Sequence, residues 1–292
     1  MLHLHWRPHF TTSCLHAAEA LSRGLPMVDQ PLAEAIAAPS QELARAIAAE
    51  PMSGPRLWRY LFGLSATAGS GRELALQALT KTLGRQRAEL TLPRLAAAIA
   101  GLESAVRRAF PDLIGELDLR MRPLREQWEA RGPGMLHGIG LRTDESLIAQ
   151  EAQVLIVQPA LGGGGQAHHS ANAVRIEAVL ANPHAELPEV VRLAWLLAQL
   201  QLDLPAYSDR IHAERLPHVA AFAMLMPVLE AAQEVELVHA SPALLKRAIA
   251  AWHLSVPADL DAPQVVLQWW ETYRDSRPPF PVALTALDQM LL

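Results

Sequence analysis

The segment QPALGGGGQAHHS, Gln158–Ser170, sets four consecutive glycines, Gly162 to Gly165, ahead of two adjacent histidines, His168 and His169. Imidazole nitrogens are good ligands for zinc and other divalent metals, and a nearby carboxylate supplies a further ligand or a general base. Glu177 and His184 follow a short way along the chain. His168, His169 and His184 are therefore candidate metal ligands and Glu177 a candidate catalytic carboxylate. The chemistry they would support is metal-assisted hydrolysis, with Gly162–Gly165 as a lid. Adjacent residues of an extended chain point to opposite sides, so His168 and His169 cannot easily bind one ion together. One of them would have to join His184 or Glu177. A plainer reading, a solvent-exposed glycine tip with polar neighbours, needs no chemistry, and it is the one we expect.

Glu189 and Arg192 are the next candidates. They stand at i and i+3 in the apolar stretch LPEVVRLAWLLAQLQLD, so a helix makes them neighbours of opposite sign. A charge on a buried helix must be paired. The pair either fixes the helix in place or lines a pocket, and we expect the structural role. Arg175 and Glu177 share one face of a strand and are expected to form a salt-bridged surface. Asp144, Glu145 and Glu151 lie in a polar connection where carboxylates are ordinary. His3 and His5 in HLHWRPH share a face with His9 nearby, a chelating pattern without local acids to orient it. Cys14, the single cysteine, excludes an internal disulfide and a multi-cysteine zinc site. It reads as a buried apolar side chain.

Several phosphate and nucleophile signatures fail on context. A P-loop needs a lysine directly after its glycines, and none lies between Lys81 and Lys246, the only two lysines. The dinucleotide fingerprint must open a helix, whereas QAHHSANAVRIEAVL reads as a strand. The hydrolase elbow GxSxG does not occur, and GLSATAGSG lies between helices.

One short stretch resembles a known family. VRLAWLLAQL, after the strand VRIEAVL, is similar in its apolar filler to the motif helix of zincin metallopeptidases. Val191 and Trp195 stand at the two ligand positions and Arg192 at the base position. The resemblance implies a zincin-like scaffold that has lost its metal, with a binding role and no peptidase activity.

The positioning elements are mostly helices. TTSCLHAAEALSRG has hydroxyls to cap its start and Gly24 at its end, and SQELARAIAAE opens at Ser40. Ser70 and Glu73 form a capping box that opens a helix closing at Gly84. TLPRLAAAIAGLESAVRRAF starts near Thr91 and Pro93, and RPLREQWEARG stops at Gly132. GPGMLHGIGLRTDES then reads as extended or looped. AQVLIVQPA predicts a central strand, NAVRIEAVLANP a half-buried one, and LHLHW an edge strand. The later helices include one broken by Pro227 and one with Trp269, Trp270 and Tyr273, whose aromatics read as core. The expected class is α+β and predominantly helical. A helical region, 1–132, precedes an α+β region, 133–292, whose small sheet covers about 134–181; one compact body made of both is the alternative to two domains.

Composition sets the outer bounds. With 51% hydrophobic and 19% charged residues among 292, the chain can bury a sizeable core. A net charge of -5 and no evident basic face argue against nucleic acid as a partner. No apolar run reaches the ~18 residues of a membrane span, and MLHLHWRPHF lacks the apolar core of a signal peptide. The expectation is a soluble, cytoplasmic, non-catalytic interaction or scaffold protein that binds a protein partner or itself and needs no cofactor. The alternative is the metal-dependent hydrolase-like enzyme, with a divalent metal such as zinc, or the degenerate zincin-like scaffold.

Overall fold

A computed structural model describes residues 2–49, 54–257 and 259–292. Six helices come first after an opening strand, β1 (His3–Pro8). They are α1 (Phe10–Ser22), α2 (Gln30–Ala48), α3 (Gly54–Ser65), α4 (Gly71–Leu83), α5 (Arg85–Ala109) and α6 (Leu113–Arg142). Three strands follow: β2 (Glu151–Val157), β3 (Gly165–His168) and β4 (Ala173–Glu177). The chain ends in α7 (Glu189–Ala198), α8 (Pro205–Ser208), α9 (Leu216–Ala223), α10 (Leu225–Glu234), α11 (Pro242–Ala251), α12 (Ala262–Ser276) and α13 (Phe280–Met290). The fold is α+β and mainly helical, as its sequence patterning requires.

The four strands form one mixed sheet in the order β1-β2-β4-β3. β1 and β4 both run parallel to β2, while β3 runs antiparallel to β4. β2 is thus central, and Val154–Val157 are fully buried, which explains its unbroken apolar run. β1 is an edge strand with His3, His5 and Arg7 exposed in alternation. β4 is buried along its whole length, not half-buried as its alternation suggests. The alternation is real, but its polar face meets α1 instead of solvent.

Several helix limits differ from their sequence signals. α1 is capped by the His9 ring, which accepts the Thr12 N–H, not by a hydroxyl. α2 starts ten residues before Ser40, with Asp29 accepting the Leu32 N–H and Pro39 held inside the helix. The Glu50 end of that expected helix lies outside the described residues. α5 begins at Arg85, so Pro93 sits within it. α6 runs straight through Gly132, Pro133 and Gly134 to Arg142, and the sheet residues of this half begin at Glu151 instead of 134. The cause is tertiary. Met135, Leu136 and Ile139 are buried at helical spacing, and a Cβ on Gly138 would lie 3.1 Å from the Ala231 Cβ of α10. Gly134 and Gly138 serve the close approach of α10, Gly132 makes room for the Trp128 ring, and none of them ends the helix. The break expected at Pro227 falls at Met224, and Pro227 sits in the first turn of α10, where its missing N–H costs little.

α7 is the central helix of the C-terminal half, with all ten residues buried, and it packs on α6, α10, β3 and β4. It ends at Ala198, short of the Asp203 its apolar pattern suggests, and its polar stripe of Glu189, Arg192 and Gln199 is buried too. Buried apolar side chains from Cys14 to Leu291 form one continuous cluster. Residues 216–234 are long and apolar enough to pass a membrane-span test, but 72% of that stretch is buried inside the fold. Core packing accounts for its composition.

Candidate functional site

Two pairs of charged side chains meet between α1 and β4. α1 presents His16 and Glu19 at i and i+3, which lie on one helix face. β4 presents Arg175 and Glu177 at i and i+2, which lie on one strand face. They pair across: His16 Nε2 with Glu177 Oε1 at 2.6 Å, and Arg175 Nη2 with Glu19 Oε2 at 2.5 Å. The expected surface salt bridge between Arg175 and Glu177 is therefore replaced by two buried pairs to another element. Arg175 also lies flat over Phe62, its guanidinium carbon 3.5 Å from the ring centre.

Glu177 organises the glycine segment. Its Oε1 accepts the N–H of Ala160 (2.9 Å) and Leu161 (2.8 Å), and its Oε2 accepts that of Gly163 (2.6 Å). Burial would raise this carboxyl's pKa, but the His16 imidazole and the backbone donors outweigh it and hold it at about 2. The glycines are consequently no exposed tip. Gly163 and Gly164 are buried, Val28 donates to the Ala160 carbonyl, and a Cβ on Gly164 would sit 2.9 Å from Glu177 Oε1. Each glycine of the run is closely packed: a Cβ on Gly164 would meet Glu177, and one on Gly162, Gly163 or Gly165 would meet Val28, Pro183 or Leu196 within 3 Å.

Beside this network lies a cleft of about 250 Å³, bounded by α1, the glycine segment, α7, α9 and the turn after α11. His16, Glu19 and Arg23 line it from α1, Arg175 from β4, and Trp195 and Trp252 form an indole wall, stacked at 4.6 Å. His169, His218 and His253 add three imidazoles to its polar lining. It adjoins a second hollow of about 510 Å³, with which it shares Glu19, Gln166, His169 and His218. Burial lowers the pKa of His169 to about 4, with the Arg59 charge adding to it, and burial lowers those of His218 and His253 as well. These three imidazoles are neutral near pH 7. Burial also opposes ionisation of Glu19, but Arg175 overcomes it and keeps the carboxylate charged. Of the arginines lining the cleft, Arg175 is thus neutralised by Glu19 and Arg23 is exposed at the rim.

Four side chains of this cleft hold buried polar atoms without a partner in the chain: His16 Nδ1, His169 Nε2, Arg175 Nε and Nη1, and Trp252 Nε1. Such atoms are few in a folded protein, and each costs about 1–3 kcal/mol if left unsatisfied. Five of the twelve such side-chain atoms among the described residues belong to this one concavity, which makes it the candidate site.

The residues expected from sequence to do chemistry are not brought together. His168 is buried and stacked on Phe62, His169 lines the cleft, and His184 lines a different hollow with Arg192. Among the described residues no group of three His, Cys, Asp or Glu is placed to hold a metal ion. Glu189 and Arg192 pair at 3.3 Å, both buried, as the helical spacing indicates. Burial pushes the Glu189 carboxyl up to about 7, more than Arg192 pulls it down. Asp144 accepts from Ser146 and from the Tyr207 hydroxyl, Glu145 and Glu151 are exposed, and Cys14 is buried with its thiol pKa raised. His3 and His5 lie 3.3 Å apart on the exposed edge, while His9 faces Thr12. His16, Glu19, Arg23, Trp252 and His253 went unnoticed in the sequence. The first three carry a signal: positions i, i+3 and i+7 fall on one face, with His16 and Glu19 in α1 and Arg23 at its C-terminal cap. Trp252 and His253 reach the cleft only through tertiary packing.

No family model, curated protein or solved structure matches the chain.

Proposed function

We propose that this chain is a non-catalytic binding protein whose cleft takes a small organic carboxylate with a flat apolar part. This keeps the interaction role expected from the sequence, with a small anion in place of a protein partner. The observation that carries it is the set of unpartnered buried polar atoms around the cleft. Arg175 and Trp252 offer N–H donors, so the ligand must bring acceptors. Exposed Arg23 attracts negative charge to the rim. The Trp195–Trp252 wall suits an aromatic or other planar apolar body. Neutral imidazoles add hydrogen bonds that leave the net charge of the lining unchanged. The metal-dependent alternative lacks a gathered ligand set among the described residues.

The test is calorimetric titration with a panel of small carboxylic acids and their neutral primary amides, on the wild-type chain and on R23A. Arg23 is exposed, so its truncation leaves the fold intact. At least one acid should bind, its amide about tenfold more weakly, and R23A should shrink that preference. Acids that all fail to bind, or that bind no better than their amides, overturn the reading.

A further inference from the structure

Gly162 and Gly163 line a further hollow of about 630 Å³ on the side of α11, which meets the carboxylate cleft at Leu161 and His253. Ala243, Lys246, Arg247 and Ala250 reach it from that helix, at the i, i+3, i+4, i+7 spacing of a single face. The two alanines leave room over which Lys246 and Arg247 extend. His184 closes one side, and the Arg192 guanidinium borders the hollow from α7. No residue lining the hollow is acidic. Glu186 pairs with Arg247 at 2.8 Å and Glu189 with Arg192 at 3.3 Å, but both acids stand outside the lining. Lys246 is exposed and has no ion-pair partner among the described residues.

Arg192 is the decisive group. It is 2% exposed, donates Nη2 to the Ala251 carbonyl at 3.1 Å, and leaves Nε and Nη1 without a partner. Gly163 keeps the approach to it low. Its φ is +135°, and a Cβ there would lie 3.1 Å from Arg192 Nη1 and 2.8 Å from Pro183 Cγ. Any side chain at 163 would cover the guanidinium. The lysine missing after the glycines in the sequence thus arrives from α11, eighty-odd residues later. The backbone N–H groups of Leu161 and Gly163 are committed to Glu177, so the side chains supply most of the donors for an anion here.

We propose that this hollow binds a phosphoryl group, with Arg192 at its base and Lys246 and Arg247 at its rim. A tetrahedral dianion carries enough acceptors for donors converging from several directions, and an arginine fork with a lysine point charge suits it. Unlike the carboxylate cleft, this hollow has no indole or phenyl ring in its lining, which fits a charged head and not a planar apolar body. The group is either free phosphate or the end of a phosphate ester.

The experiment is titration with inorganic phosphate and with glycerol phosphate at constant ionic strength, on wild type, K246E and R23A, with circular dichroism to confirm folding. Saturable binding of one probe is expected, weakened about tenfold or more in K246E and unchanged in R23A. Tighter binding of the ester identifies the head group of a larger molecule, and tighter binding of phosphate the free ion. No saturation by either probe, equal binding by K246E, or reproduction of the effect by chloride at the same ionic strength overturns the proposal. Binding weakened in R23A would place the anion in the other cleft and also overturns the proposal, whereas failure of the carboxylate panel leaves this site's result intact.

Discussion

At the scale of single residues, Glu177 decides the local structure. It is fully buried, yet it stays ionised because three backbone N–H groups and His16 surround it. Its pKa falls from the usual 4.5 to about 2, which corresponds to about 3 kcal/mol of stability. A carboxyl depressed in the folded state stabilises above its unfolded pKa, and that stability is lost as pH falls through the folded one. E177Q should therefore cost about 3 kcal/mol in urea denaturation at pH 6, a difference that shrinks between pH 4.5 and 2. An E177Q penalty unchanged across that window would mean that the charge of Glu177 does not hold the glycine segment. His9 and His169 add to acid sensitivity from higher pH. Burial lowers both pKa values to about 4, so the unfolded chain binds protons first as pH falls below 6.5.

At the scale of elements, the site is made where α1 crosses β4 and where α11 ends. α11 closes with paired bonds, His253 N–H to Ala250 O and Leu254 N–H to Ile249 O, around His253 at φ +55°. Glycine is the usual residue in that left-handed position, and a histidine there costs on the order of 1 kcal/mol. His253 lines the cleft, which accounts for its retention. H253G should raise the denaturation midpoint, by about 0.5–1 kcal/mol of stability, while weakening carboxylate binding. A variant less stable than wild type would show that the histidine serves packing instead. The elements themselves were largely legible. The apolar run of β2, the Ser70 cap of α4 and the largely apolar body of α7 each announced their structure. Local signals misplaced the limits of several helices: Ser40 and Thr91–Pro93 read as starts although α2 and α5 begin earlier, and Gly132 reads as a stop although the buried Met135 and Ile139 carry α6 past it.

At the scale of the whole molecule, the sequence concealed the site because its parts are far apart. His16 and Glu177, or Gly163 and Lys246, become neighbours only in the folded chain. The strand alternation correctly put Arg175 and Glu177 on one face, but no local pattern says that α1 covers that face. The exposed large apolar side chains fall singly on many elements, such as Leu90, Leu119 and Val282. The concave, partly unsatisfied cleft therefore carries the functional reading. The Trp252 indole N–H reports on it most directly. It lines the cleft without an acceptor, while the Trp195, Trp269 and Trp270 indoles donate to Ala221, Ala283 and Glu230. In a nitrogen–proton correlation spectrum, with the Trp252 peak assigned by W252F, an acid that binds in the calorimetric panel should shift that peak strongly. The peaks of Trp269 and Trp270 should stay in place. A bound acid that leaves the Trp252 indole unmoved would contradict the assignment of this cleft as the binding site.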